Sequence, residues 1–247
     1  NVTGTIQPIK EIGRIVCRLN EKRSKAKRIY FLVDASQSAG SVPIDVQDMK
    51  IDMLALPGHK GLLGPLGTGI LCVAEGVPLY PITEGGTGTE SRDRNQPTEF
   101  PEGFEAGTVN APGIIGLGYS VNWVKNVGVS AIKDYEENLI RPLHDALRNM
   151  KNITVYGPKN VSDKTAVVSF NVTDDSGNIA LSCEKTASIL AEEYNIAVRG
   201  GFHCAGLAHK TIGTWDCGAV RMSAGPFNTA KHINTAINAV YRISRSV

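Results

Sequence analysis

No apolar run in the 247-residue sequence comes near the roughly 20 residues needed to cross a bilayer, and no stretch has the pattern of a secretory signal. Neither charge is in excess. Lys and Arg number 26 against 24 Asp and Glu, a net +2, too little to draw nucleic acid or a membrane surface. The five cysteines (Cys17, Cys72, Cys183, Cys204, Cys217) are odd in number and scattered, and none forms a Cys-x-x-Cys pair. That argues against a disulfide framework and against a zinc or other metal site, and for free thiols in a cytoplasmic protein. Internal repeats and low-complexity segments are also lacking. What is left is an ordinary globular composition, 42% hydrophobic and 20% charged, in a chain long enough for one large domain or two modest ones. The densest basic run, Lys22 to Arg28, lies between a helical pattern and a strand and is expected to be a solvated loop. The sequence starts at Asn1 and runs straight into what reads as an interior turn, so a fragment of something longer is expected.

Ile6, Ile9, Ile12, Ile15, Val16 and Leu19 recur at helical spacing and predict a first amphipathic helix. Three apolar runs then predict buried strands: residues 28–34 ending at Asp34, residues 51–56 ending just before Gly58, and residues 68–74. Near-continuous apolar runs suggest a sheet covered on both faces, hence an α/β architecture. Residues 83–110 are polar and Gly-rich, an irregular stretch long enough to be functional or disordered. Two helices are expected over 113–127 and 131–150. Shorter units follow: strands 154–156, 166–171, 197–199 and 219–223, and helices 184–194 and 230–244. This texture predicts a smaller α+β domain, dividing the chain into 1–129 and 130–247.

Four residues stand out chemically, each with two readings. Asp34 closes a strand; it either caps the turn that follows or faces a cationic ring nitrogen in the crevice at the strand's C-terminal end, with Gln37 in reach. Lys60 follows Gly58 and His59, again at a strand end. It is either a surface lysine or a Schiff-base lysine of the kind pyridoxal 5'-phosphate (PLP) enzymes use. Asp34 and Lys60 terminate runs expected to be neighbouring strands, so one cofactor could touch both. Cys204, in "RGGFHCAG", is either a small buried apolar residue or a thiol within reach of substrate, with Arg199 and His203 as nearby positive charge. Arg221, in "AVRMSAGPFNT", is either half of a structural ion pair or a planar clamp for a carboxylate.

Seven stretches carry a resemblance: "NVTGT", "VDASQSAG", "LPGHKGLLGPLGTGIL", "EGGTGT", "FEAGTVNAPGIIGLG", "VRGGFHCA" and "VRMSAGPFNT". Together and in this order, the sequence resembles the cysteine desulfurases of the class V aminotransferase group, PLP enzymes of fold type I. The resemblance implies a partial fold-type I large α/β domain over 1–129 and a small C-terminal α+β domain over 130–247. It makes Lys60 the Schiff-base lysine, Asp34 the partner of the pyridine nitrogen, Gln37 a ligand of the ring hydroxyl and His59 a phosphate ligand. Gly85 and Thr108 match residues that reach the phosphate of the other subunit in the family's homodimer. Cys204 matches the nucleophile, Arg221 the carboxylate clamp, and Asn1 and Arg199 residues that orient substrate.

The implied reaction removes sulfur from L-cysteine, leaving L-alanine and a persulfide on Cys204 that passes to an acceptor protein, with iron–sulfur assembly as the setting. There are departures. Pro57 stands where many members carry a serine hydroxyl on the phosphate, and the family has a long portion before the position of Asn1. That portion is expected either as a separate piece accompanying this chain or as one cut away from it. Two rivals stay open: a selenocysteine lyase or related class V PLP enzyme, and an inactive fragment or scaffold without a complete cofactor site.

Overall fold

The computed structural model describes residues 1–88 and 92–247. The end of the "EGGTGT" stretch and part of the irregular stretch 83–110 therefore lie outside the described residues. The chain divides into two compact units. One comprises Pro8–Ala39 with Ile44–Asn126, the other Asn1–Gln7, Gly40–Pro43 and Val127–Val247.

The first unit opens with helix α1 (Ile9–Asn20), which starts behind Pro8, a residue with no N–H to give to a helix. The basic run after it is exposed and contains only a 3₁₀ turn, Lys25–Lys27, as a solvated segment should. Strands β1 (Leu32–Asp34), β2 (Met53–Pro57) and β3 (Gly69–Val73) form one sheet in that order. β1 and β2 are parallel, with Asp34 opposite Ala55, while β3 returns antiparallel to β2. The expectation of cover on both faces is not met within this unit. Val33, Ala35, Ile51 and Leu54 form the core with Ile9 and Phe31 packed on it, but Leu32 and Leu71 are 52% and 51% exposed. The apolar runs do reflect strands; inside the unit only one face finds a counterpart. Helix α2 (Ala111–Val127) completes the unit. In between, the described residues of 83–110 hold one 3₁₀ turn, Glu102–Phe104.

The second unit is built on helix α3 (Val129–Asn149) and a mostly antiparallel sheet of β4 (Ile153–Tyr156), β5 (Val167–Thr173), β8 (Ala219–Ser223) and β7 (Arg199–Gly201), in that order. β6 (Ile179–Leu181) pairs with β5 off this path. Helices α4 (Cys183–Tyr194) and α6 (Ala230–Ser244), with α3, cover it around Phe170, Leu143, Leu147, Leu190 and Val240, all essentially buried. A short helix, α5 (Gly206–Thr211), sits between β7 and β8. The first residues of the chain are stitched to this unit. Thr165 N–H donates to the Gly4 carbonyl at 2.8 Å, Thr5 bridges Lys164, and the Ser169 hydroxyl donates to the Val2 carbonyl.

Candidate active site

In the first unit the parallel pairing of β1 and β2 puts their C-terminal ends side by side. Asp34 closes β1. Its Oδ1 accepts the Ser36 N–H at 2.8 Å, so the carboxylate does organise the turn after the strand. The Ser36 side chain and then its backbone amide hold the Asp34 carboxyl below its ordinary value, and the Lys60 charge pushes more weakly in the same direction. The cap reading and the ring-partner reading are compatible, because the side chain is exposed and a carboxylate has acceptor sites to spare.

β2 leads through Pro57 into the loop that carries His59 and Lys60. Gly58 N–H donates to the Thr68 carbonyl at 2.8 Å, and Gly64 N–H returns to the Gly58 carbonyl at 2.7 Å. A side chain at Gly58 would put its Cβ 2.2 Å from Thr68 Oγ1. Only glycine lets the loop close this tightly, and the closure projects His59 and Lys60 into the open, where both are exposed. Gln37 is exposed on the turn after Asp34. The structure thus brings Asp34 within electrostatic reach of Lys60. Gly85 lies beside the 106–108 turn, 3.7 Å from Ala106 by its would-be Cβ, while Thr108 is exposed.

The second unit gathers Asn1, Arg199, Cys204 and Arg221. Arg199 on β7 stands opposite Arg221 on β8, a like-charged cross-strand pair that is unfavourable unless something anionic shares it. Burial first, and the Arg199 charge second, lower the Arg221 pKa. Arg221 donates to the Asn1 carbonyl from Nη1 at 2.9 Å, and among the described residues its buried Nε has no partner. Arg199 Nη2 lies 3.3 Å from Cys204 Sγ, and the thiol is exposed, so the buried-apolar reading of Cys204 does not hold. Asn1 Nδ2 donates to the His203 carbonyl at 2.7 Å. The structure corrects one expectation: His203 is buried, and burial, reinforced by the Arg221 charge, holds its imidazole down at about 4. The positive charge at Cys204 comes from Arg199 and not from His203.

All five cysteines are free. Among the described residues no group of His, Cys, Asp or Glu could hold a metal ion, and no helix is long and apolar enough to cross a membrane.

The chain belongs to the aminotransferase class-V family, whose profile matches residues 1–235. Its similarity is to the cysteine desulfurases within it. It is 37% identical over 240 residues to a probable cysteine desulfurase of Methanothermobacter thermautotrophicus, covering 94% of this chain and 56% of that protein. It is 34% identical to a probable cysteine desulfurase of Pyrococcus abyssi, covering 100% and 58%. The apo structure of the cysteine desulfurase from Thermococcus onnurineus superposes with a TM-score of 0.81 at 30% identity, covering 100% of this chain and 58% of that one. The Escherichia coli cysteine desulfurase CsdA superposes at 0.82 and 25% identity, covering 100% and 57%. The mixed α/β fold is the one expected from the sequence. The chain spans 56–58% of the length of these relatives.

Proposed function

We propose that the protein is a PLP-dependent cysteine desulfurase that removes sulfur from L-cysteine, giving L-alanine and a persulfide on Cys204. The observation that carries this reading is the corner where an exposed Cys204 thiol lies 3.3 Å from Arg199 and beside the Arg199–Arg221 cross-strand pair. An anionic sulfur nucleophile and the carboxylate of an amino acid are the two charges such a corner suits.

The residues of the first unit fit PLP. Lys60 offers an amine for the aldehyde carbon and Asp34 an ionised carboxylate for the ring nitrogen, and the Lys60 charge helps hold that carboxylate ionised. His59 and Gln37 would hold the phosphate and the ring hydroxyl, and Gly85 and Thr108 the phosphate of a second subunit. Pro57 offers no hydroxyl there. When bound, PLP supplies the electron sink that makes bond breaking next to the amino acid's α-carbon accessible.

The remaining chemistry belongs to the chain. Arg221 grips the substrate carboxylate, with Asn1 and Arg199 orienting it. Lys60 takes the α-proton once its amine is free. Cys204, as thiolate, attacks the substrate sulfur: an S–S bond forms, the carbon–sulfur bond breaks, the electron pair left on the β-carbon takes up a proton, and Lys60 returns a proton to the α-carbon to give alanine. On the same family relationship, we assign the protein to the cytoplasm as a homodimer that hands its sulfur to an acceptor protein feeding iron–sulfur assembly.

Mass spectrometry of the protein after incubation with PLP and L-cysteine tests the reading. A gain of one sulfur at Cys204, with matching alanine, is expected, and Cys204→Ser should abolish both. Sulfur release that survives Cys204→Ser would remove the thiol from the reaction.

A further inference from the structure

One side chain in the Cys204 loop is fully sealed from solvent. Phe202 and Cys204 are exposed, yet His203 between them is 2% exposed. Neither of its ring nitrogens has a hydrogen-bond partner of ordinary geometry among the described residues; its polar contact is limited to a weak one with the Ala219 backbone. The His209 ring lies 5.6 Å away, tilted by 42°, and is itself fixed by a 2.7 Å contact between its Nδ1 and Thr214 Oγ1 and by the Phe202 ring at 5.1 Å.

The titratable groups that face His203 are Arg221 from β8, Arg199 from β7 and His209 from α5, with no carboxylate among them. The ring is therefore neutral. Burying an unpartnered imidazole costs free energy that an apolar side chain would not cost. A sealed ring whose one polar contact is a backbone group also has no path along which to move a proton. What it can do is fill space.

The space it fills lies under a strained turn. His203 and Cys204 have φ of 53° and 61°, the left-handed region, which residues other than glycine occupy only where their surroundings impose it. Asn1 pins the His203 carbonyl, and the buried ring anchors the other side of the same residue. We propose that His203 is a positioning residue, a buried wedge that holds Cys204 in its left-handed turn with its sulfur at Arg199, and that it is not an acid or base of the reaction. This rests on Cys204 being the sulfur-accepting thiol, so the test reads the thiol itself and not turnover.

Iodoacetamide labelling of the protein, followed at each cysteine by mass spectrometry, carries its own controls. Cys17 and Cys72 are exposed references, and buried Cys183 reports unfolding. In His203→Ala, labelling of Cys204 relative to Cys17 should fall by about tenfold or more while Cys183 stays protected. His203→Leu, close in volume and without nitrogens, should restore Cys204 labelling to within about threefold of the wild type, with an unchanged pH profile between about pH 5 and 8. A wild-type ratio in His203→Ala overturns the wedge. So does a Leu variant as slow as the Ala variant, or one with a displaced profile, since the nitrogens would then matter. Should the Ala variant expose Cys183, the Leu variant decides alone by the same two readings. A protein that shows the expected labelling but forms no persulfide would lose the proposed reaction and keep the wedge.

Discussion

Arg221 shows what a single residue contributes here. Its guanidinium is half of a like-charged pair, donates once to the Asn1 carbonyl and keeps a buried Nε unpaired. A planar fork in that state is completed by a carboxylate that accepts two parallel bonds. Lysine would supply the charge but not the fork, so Arg221→Lys should raise KM for L-cysteine on the order of tenfold or more, measured by steady-state alanine release, with a smaller change in kcat. Lys60 makes a different demand, for a nucleophilic amine. Lys60→Ala should abolish the borohydride-stable adduct between protein and PLP, read by mass spectrometry; an adduct that persists would place the attachment elsewhere. Lys60 stood out in the sequence as a charge among glycines just after an apolar run, and Arg221 as an arginine inside an apolar strand. His203 was misread there. Sequence proximity to Cys204 suggested positive charge, while the residue's burial, which decides its charge, depends on α5 and β8 and leaves no local trace.

Among the elements, the loop after β2 is tightly determined. Gly58 is buried against Thr68 and Leu117, with its would-be Cβ 2.2 Å from Thr68 Oγ1 and 3.0 Å from Leu117 Cδ1. Gly58→Ala must push the loop away and carry Lys60 with it. It should cost about 1–3 kcal/mol of stability by thermal melting and weaken PLP uptake measured by absorbance. The longer elements were legible because their pattern is strong: α1, α3 and α6 from helical spacing, and β2, β5 and β8 from apolar runs, while of the run 28–34 only its end, the three-residue β1, is strand. The short ones were not. β6 has three residues and α5 six, too few for a period to show. β7 was expected over 197–199 but lies at Arg199–Gly201. The strand continues through two consecutive glycines: Gly200 pairs with Val220 and passes so close to the start of α4 that a Cβ would sit 2.6 Å from the Cys183 carbonyl oxygen. Glycine here permits a close approach within a strand, a demand set by tertiary packing and not by local sequence.

At the scale of the whole molecule, two of the titratable groups buried in the second unit, Glu136 and His203, respond to pH in opposite senses. Glu136, on α3, is buried with Ser41 as its hydrogen-bonding neighbour, and burial pushes its carboxyl from an ordinary 4.5 up to about 7. The fold therefore binds a proton there that the unfolded chain releases. That stabilisation is complete below about 4.5 and is lost as pH rises to about 7. His203 behaves inversely, because burial lowers its imidazole from 6.5 to about 4. Its contribution is complete above about 6.5 and is lost as pH falls to about 4. Across the shared window the two slopes oppose each other, so the contributions of these two groups partly cancel, while buried His209, whose imidazole is also lowered by burial, adds to the His203 sense. Removing either one should expose the other. Glu136→Gln should melt at progressively lower temperature as pH is brought from 6.5 towards 4, and His203→Leu at progressively higher temperature as pH is brought from 7 to 4.5. Melting curves of the three proteins at half-unit pH steps decide the matter. Parallel profiles for all three would mean that neither group titrates differently in the fold and in the unfolded chain. A change in one variant alone would assign a shifted titration only to the group that variant lacks.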